Sequence, residues 1–310
     1  GGQLESAQHA QLVQTLLGTL TTSATPEELA DNWQRVATHF DRLLDRPEAI
    51  DALEQTILQL AVRGLLVPQD PKDEPASELL KKIRAEKDRL IAEGKIKRDK
   101  PLQPVAEQEM PFELPHGWEW VRLGVLTNLI TSGSRDWAEH YSDSGPIFVR
   151  MGNLSRGGYA LRMTNVQRVR PPLGGEGART SLEPNDLLLS ITGEVGMLGL
   201  VPEGFGEAYI NQHTCLIRWA SSLRSEFFPV QLLSAFVQQQ FNSPQRGIKN
   251  SFRLTDVSGI VLALPPLSEQ ARIVAQVKSL RSLCADLRQC LAARQTTQTH
   301  LAEALIDEVA

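Results

Sequence analysis

The feature that most constrains the fold is the last stretch of the chain, residues 264–310. Pro265 and Pro266 end the segment before it, because proline has no N–H to donate to a sheet, and Ser268 stands where a helix N-cap belongs. No Gly or Pro follows Ser268, so the pattern predicts one helix of about 40 residues, roughly 60 Å long at ~1.5 Å per residue. Apolar residues recur along it at alternating steps of four and three, at Ile273, Val277, Leu280, Cys284, Leu287 and Leu291. This period is that of a coiled coil.

Two structures satisfy this apolar seam. One is a terminal helix packed on its own domain, and the other is a rod paired with a further helix. Helices of globular domains seldom reach this length, which favours the rod. The seam is interrupted at Arg294 and Gln298 and resumes at Leu301 and Leu305.

The start of the chain has the pattern of several helices. Thr25 and Glu28 form a capping box around Pro26, which occupies the first helical position. Helical spacing continues to residue 94. Residues 95–117 contain four prolines and little periodicity, which predicts an extended linker and the main domain boundary.

From Trp118 the pattern changes to short apolar runs bounded by Gly, Pro, Asn and Asp, together with one helical stretch at 227–241. Such runs predict strands. The expected fold class is therefore α+β, and the expected parts are a helical spacer region at 1–94, a linker at 95–117, a compact mixed α/β domain at 118–266 and a long coiled-coil helix at 267–310.

Composition limits the possible functions. No apolar run approaches the ~20 residues needed to cross a bilayer, and the sequence has no signal-peptide pattern. The three cysteines, Cys215, Cys284 and Cys290, lack the spacing of a metal site, which favours a reducing cytoplasm. The chain opens with Gly1-Gly2 rather than Met, which is typical of an expressed piece of a longer protein.

Motifs that carry catalysis are missing from the sequence. It contains no glycine-rich dinucleotide loop, no phosphate loop, no nucleophile elbow and no Asn- or Asp-Pro-Pro-aromatic tetrapeptide of the kind that adenine methyltransferases use. His140 lies between Asp136 and Asp143, which leaves an enzyme with an unrecognised site as an alternative. A solvated loop histidine is the simpler interpretation. We therefore predict no catalytic residue, no bound metal and no cofactor in this chain.

Arginine is concentrated in the middle of the chain. Residues 145–182 contain six arginines and a single acid, Glu176. The arginine fork pairs with phosphate or with the edge of guanine, and Asn and Gln pair with adenine. Two loop segments, 150–170 and 245–253, concentrate these residue types and predict a nucleic-acid face. The predicted DNA contacts are Arg150, Asn153, Arg156, Arg162, Arg168, Arg170, Gln245, Arg246, Lys249, Asn250 and Arg253.

Four segments are distinctive enough to compare with known families. They are LQLAVRGLLVPQDPKDEPASELLKKIRAEKDRL (58–90), LPHGWEWVRLG (114–124), DLLLSITGEVGMLGLVPEG with INQHTCLIR (186–218) and LPPLSEQARIVAQV (264–277). In this order they resemble the surroundings and core of one target recognition domain in the specificity subunits of type I restriction-modification systems. Full members of that family carry two such domains, separated and followed by long helices that pair antiparallel. The resemblance therefore implies either the C-terminal half of a subunit or a natural half subunit that dimerises.

The resemblance also implies a function. The chain would recognise double-stranded DNA sequence-specifically, reading one half of a bipartite target, and its helices would act as a spacer and as a docking surface for methylation (M) subunits. S-adenosylmethionine, ATP and magnesium would belong to the M and restriction (R) subunits. The other half of the specificity subunit, or a second copy of this chain, would pair with the seam on the terminal helix. Localisation would be cytoplasmic, without a membrane partner.

One further alternative stays open. A protein-interaction module would use the coiled coil to bind another protein, and its arginines would only solvate the surface. Binding of random duplex DNA separates this alternative from a DNA-recognition subunit.

Overall fold

The computed structural model describes residues 6–135, 137–172, 180–242 and 251–309. It divides into two compact units, one made of Gly1–Pro68 with Arg272–Ala310 and the other of Gln69–Ala271. Among the described residues, the first unit is helical and the second combines helices with strands. The predicted α+β fold class is confirmed.

Short turns join the helices of the first unit. These helices are α1 (Ser6–Thr21), α2 (Pro26–Thr38), α3 (Phe40–Leu43) and α4 (Pro47–Val62), followed by most of the terminal helix (Leu267–Val309). The predicted cap of α2 is confirmed: Thr25 Oγ1 accepts a hydrogen bond from the backbone N–H of Glu28 at 3.1 Å. The Glu28 carboxylate in turn accepts one from the N–H of Ala24 at 2.8 Å.

The core of the first unit lies where α1 and α4 pack together. Leu17 and Leu20 of α1 and Ile50 and Ile57 of α4 are all buried. His9 of α1 is buried as well, and its Nε2 lies 3.1 Å from the carbonyl oxygen of Arg42 and 3.1 Å from Asp45 Oδ1. These contacts give the histidine a structural role, because they satisfy its polar edge inside the helical core.

The second unit mixes helices and strands. Its helices are α5 (Ala76–Ala92), α6 (Phe227–Leu233), α7 (Ala235–Asn242) and α8 (Leu254–Gly259), and the terminal helix α9 (Leu267–Val309) begins in it. Its strands are β1 (Glu119–Arg122), β2 (Thr127–Ser132), β3 (Tyr141–Val149), β4 (Gln167–Val169), β5 (Leu187–Ser190), β6 (Leu198–Leu200), β7 (Ala208–Ile210), β8 (Thr214–Trp219) and β9 (Val261–Leu264).

These strands form three sheets in the described part of the unit. In the largest sheet β2, β8, β5 and β6 lie side by side in that order, with antiparallel neighbours. In the second sheet β3 lies between β4 and β7, antiparallel to β4 and parallel to β7. The whole of β5 is buried, as expected for an inner strand with covered faces. Trp219 at the end of β8 stacks on Phe228 of α6 with ring centroids 4.5 Å apart.

The third sheet consists of two strands that are far apart in the sequence. β1 and β9 pair antiparallel, with Glu119 opposite Leu264 and Arg122 opposite Val261. Just beyond the pair, the buried carboxylate of Glu269 accepts hydrogen bonds from Trp118 Nε1 and Gln69 Nε2, both at 2.9 Å. Two of the distinctive sequence segments, 114–124 and 264–277, therefore meet in space.

The second unit begins earlier than the sequence predicts. Residues 69–117, including α5 and the proline-rich linker, lie inside it. The carboxylate of Glu86 on α5 accepts hydrogen bonds from Asn128 Nδ2 at 2.7 Å and from the Ser221 hydroxyl at 2.8 Å. Arg122 donates to the carbonyl oxygen of Gln103 at 2.8 Å and so holds the linker on β1. The sequence of a charged helix such as α5 does not indicate which unit its apolar face packs against.

The terminal helix is a single helix of 43 residues, as predicted. In the first unit it lies beside α4, where Arg288 Nη2 is 2.6 Å from both Asp51 Oδ1 and Glu54 Oε2. Among the seam residues, Ile273, Val277 and Cys284 are buried, Leu280 and Leu291 are half-buried and Leu287 is 36% exposed. The first part of the seam is thus covered within this chain, as in the packed-helix interpretation, whereas residues 292–304 are exposed.

Candidate nucleic-acid interface

The loop that follows β3 is organised by a buried amide. Asn153 is 4% exposed. Its Oδ1 accepts a hydrogen bond from the N–H of Arg150 at 3.0 Å, and its Nδ2 donates to the carbonyl oxygens of Arg162 at 2.9 Å and Asn165 at 3.2 Å. The amide therefore brings the backbones of Arg150 and Arg162 together. Because both ends of the amide are occupied inside the loop, we leave Asn153 out of the DNA-contacting set.

Two predicted arginines lie at an edge of the second sheet, Arg168 on the edge strand β4 and Arg170 directly after it. Arg168 is opposite both Ser142 and Ile147 of β3, so residues 143–146 bulge out of the ladder. Its Nη1 donates to the carbonyl oxygen of Gly145 at 2.7 Å. The backbone N–H of Arg170 donates to the carbonyl oxygen of His140 at 2.9 Å. Both arginine side chains are exposed.

The loop also reaches the turn between β5 and β6, residues 191–197. Ser155 pairs with Leu198 of β6, so the loop extends the edge of the largest sheet. Arg156 Nη2 lies 2.8 Å from Glu194 Oε1 in the turn, with side chains 67% and 60% exposed. A Cβ added to Gly193 would lie 3.9 Å from the methyl carbon of Met151, which shows that the residue after Arg150 packs on the same turn.

The second predicted segment meets this turn from another direction. Ser251 pairs with Thr192, and the N–H of Phe252 donates to the carbonyl oxygen of Ile191 at 2.8 Å. Phe252 is buried and packs edge-on against Phe241 of α7, with ring centroids 5.5 Å apart. Arg253 follows with an exposed side chain. The other predicted residues of this segment, Gln245, Arg246, Lys249 and Asn250, lie outside the described residues.

The structure thus brings two segments about 100 residues apart in the sequence to one turn. We call the result the turn surface and define it by five side chains: Arg150, Arg156, Arg162, Glu194 and Arg253. Within the described part of the chain, Arg156 forms an ion pair with Glu194. Arg168 lies on β4, and Arg170 follows directly after the strand. The four arginines outnumber Glu194 and the nearby Asp256, whose carboxylate accepts a hydrogen bond from the backbone N–H of Arg253 at 2.9 Å, so the turn surface carries a net positive charge suited to a polyanion.

Sequence reasoning missed a structural arginine. Arg218 of β8 holds the nearly fully buried Asp186 through two hydrogen bonds, Nε to Oδ1 at 2.9 Å and Nη2 to Oδ2 at 2.6 Å. Its Nη1 lies 2.8 Å from Glu183 Oε1. The sequence signal is an arginine inside the apolar run CLIRW, because a charge within a buried strand requires a partner.

The alternative enzymatic site gains no support from geometry. Asp136 lies outside the described residues, and His140 ends a short helical turn at the start of β3. Asp143 is exposed in the bulge of β3. Within the described ranges, no group of three or more His, Cys, Asp and Glu side chains is placed to hold a metal ion. No helix in the described part of the chain is long and apolar enough to cross a membrane.

Comparison with known proteins points to one family. No family model matches the chain. The chain is 39% identical over 312 residues to the specificity subunit of the type I restriction enzyme EcoAI of Escherichia coli, and 35% identical over 321 residues to that of EcoEI from the same organism. Each alignment covers 96% of this chain but 51% and 52% of the relative, so the chain spans about half the length of the curated relatives it matches.

A solved structure agrees at the level of the fold. It concerns complex assembly and conformational transition of a type I R-M system, and one of its chains matches with a TM-score of 0.52 at 21% identity, over 83% of this chain and 56% of that chain. At this identity the likeness concerns the fold alone. Along 96% of its length, this chain is therefore similar to about half of a type I restriction enzyme specificity subunit, and the resemblance seen in the four sequence segments is confirmed.

Proposed function

We propose that this chain recognises one half of a bipartite double-stranded DNA target as part of a type I specificity subunit, with the turn surface facing the DNA. The observation that carries this proposal is the convergence of two arginine-rich loop segments on the β5–β6 turn. Arginines around the turn supply contacts to phosphates, and side chains on the turn supply contacts to base edges. The similarity to the EcoAI and EcoEI specificity subunits supports the same function.

We further propose that the chain carries no catalytic centre of its own. Methylation and restriction subunits would supply the bond chemistry, and S-adenosylmethionine, ATP and magnesium would bind to them. This division of labour agrees with a sequence that lacks methyltransferase and nucleotide-binding motifs. The chain would work in the cytoplasm, where its DNA target is found.

The exposed apolar side chains of α9 support docking of a further helix. In the first unit they are Leu283, Leu287, Leu301 and Ile306. Leu283 and Leu287 lie on a groove of 780 Å³ in the first unit that Trp33 and Phe40 also line. We propose that M subunits and either the other half of the specificity subunit or a second copy of this chain cover these side chains.

The proposed function is tested by DNA binding of alanine variants over a range of salt concentrations. Separate substitution of Arg150, Arg162 or Arg253 should weaken binding to random duplex DNA, because each guanidinium is expected to neutralise a phosphate. The slope of log K against log salt should become shallower by ~1 for each phosphate that is no longer neutralised. Arg156→Ala should weaken binding too, and so should substitution of Arg246 and Lys249.

The matched control is Arg84→Ala, which removes an exposed arginine of α5 in the same unit. It should leave both affinity and slope unchanged. Wild-type affinity and slope in every turn-surface variant would rule out the turn surface. A wild-type chain that binds no random duplex at low salt would favour the protein-interaction module instead.

A further inference from the structure

The β5–β6 turn, residues 191–197, carries a single acidic side chain. Glu194 is 60% exposed, and its carboxylate pairs with Arg156. A carboxylate at a DNA-binding surface opposes binding to phosphates at every sequence. We therefore expect Glu194 to accept a hydrogen bond from a donor group on the DNA.

The backbone that carries Glu194 is held firmly. The buried Ser190 at the end of β5 donates through its hydroxyl to the carbonyl oxygen of Glu194, and the same hydroxyl accepts from the N–H of Met197 at 2.8 Å. Gly193 and Gly196 have φ values of 72° and 98°, which favour glycine and fix the path of the turn. A Cβ at Gly196 would come within 2.9 Å of Phe241, so the turn also packs closely on α7. A side chain on such a rigid support is preorganised for reading.

The ion pair with Arg156 does not prevent Glu194 from accepting a hydrogen bond from a DNA base. Both side chains are more than half exposed, and pairs of this kind contribute little to stability. The guanidinium binds one carboxylate oxygen, Oε1. The other lone pairs of the carboxylate can accept further hydrogen bonds. Arg156 can therefore stay beside Glu194, or move to a phosphate, while the carboxylate accepts a hydrogen bond from a base.

We propose, on the basis of the proposed function, that Glu194 is a base-reading residue that selects cytosine at one position of the target. An ionised carboxylate only accepts hydrogen bonds. Guanine and thymine present acceptor oxygens in the major groove, and adenine presents its N6 amine beside the acceptor N7. Cytosine presents the N4 amine without a neighbouring acceptor. Cytosine is thus the base whose edge fits a carboxylate.

The test is selection of binding sites from a random-sequence duplex library by the full chain. Wild type should enrich cytosine at one position by about tenfold or more over the other bases, as one well-placed base contact provides. Glu194→Gln should change the preference at that position to adenine, because an amide pairs with both N6 and N7, and should leave the other enriched positions unchanged. Glu194→Ala should abolish the preference at that position alone. Both variants should bind random duplex more tightly than wild type, by about threefold at low salt, because a repulsive charge is removed.

The control is Glu203→Gln, which removes the same charge from the exposed loop between β6 and β7, where Glu203 accepts from Asn185 Nδ2 at 3.1 Å. It should give the wild-type sites. Identical enriched sites for wild type and Glu194→Gln would overturn the role of Glu194. So would duplex binding by wild type without enrichment of any base, although salt-dependent binding would still support the proposed function. A wild-type chain that binds no duplex overturns both.

Discussion

At the scale of single residues, the polarity of a side chain does not decide its role. Asn153 lies among arginines in the sequence, which predicts contact with DNA, but its amide faces inward and ties three backbone groups together. Arg218 has no such neighbours in the sequence, and it neutralises the buried Asp186. The type of group at each position is known from the sequence. Whether that group faces solvent depends on the loop path, which long-range contacts determine.

Asn153→Ala should destabilise the second unit by about 1–3 kcal/mol, because it removes three hydrogen bonds to partly buried backbone groups. Urea unfolding monitored by circular dichroism measures the loss. The exposed Asn165 offers a matched control, and Asn165→Ala should unfold within about 0.5 kcal/mol of wild type. Equal stability of the two variants would contradict the structural role of Asn153.

The cysteines give a second prediction at this scale. Cys215 and Cys284 are buried and Cys290 is exposed. Burial raises the pKa of the Cys284 thiol to about 11, so its reactive thiolate is scarce below about pH 10. A thiol reagent at about pH 8, near the ordinary thiol pKa, should therefore label one cysteine of the native chain, and Cys290→Ser should remove that signal. Rapid labelling of Cys284 in the native Cys290→Ser chain would contradict the packing of α9 on α4.

At the scale of elements, the predictions succeed where local signals are strong. The capping residues of α2 and the uninterrupted run of α9 are both read from neighbouring positions, and both are confirmed. The position of α5 is not predictable in this way, because its contacts with Asn128 and Ser221 join residues far apart in the sequence. The convergence on the β5–β6 turn is of the same kind. The composition of the two segments predicts that each binds DNA, but it does not predict that they are adjacent in the structure.

Glu269 provides a prediction for the elements that close the second unit. Glu269→Ala removes the acceptor of the buried Trp118 Nε1 and should cost about 1–3 kcal/mol of unfolding free energy. Glu269→Gln keeps an acceptor oxygen and should cost less. Urea midpoints of the two variants against wild type provide the measurement. A Gln variant as unstable as the Ala variant would show that the hydrogen bond to Trp118 is not the source of the loss.

At the scale of the whole molecule, the chain consists of one helical unit formed from both of its ends and one α/β unit formed from its middle. The proposed DNA-binding residues all belong to the second unit. The exposed Leu283, Leu287, Leu301 and Ile306 of α9 belong to the first. Recognition of DNA and docking of partner helices are thus proposed for separate units of the same chain.

This division predicts that residues 69–271 fold without the rest. The fragment should unfold cooperatively in a thermal scan, because its three sheets and the hydrogen bonds of Glu269 to Gln69 and Trp118 lie within it. It should also bind random duplex DNA with the salt dependence of the full chain. A fragment that lacks a cooperative transition, or that binds with a clearly shallower slope, would show that the helical unit contributes to folding or to DNA contact.

The pairing of β1 with β9 has a consequence for how specificity evolves. Glu119 and Leu264 lie directly opposite each other, so the segment between β1 and β9 begins and ends at neighbouring positions within the second unit. A recombination event could replace the segment between β1 and β9 with an unrelated sequence, and the pairing of the two strands would still hold the ends of that segment together. Under the proposed function, a new target preference could then be acquired in one genetic step, with the docking surface proposed on α9 left unchanged.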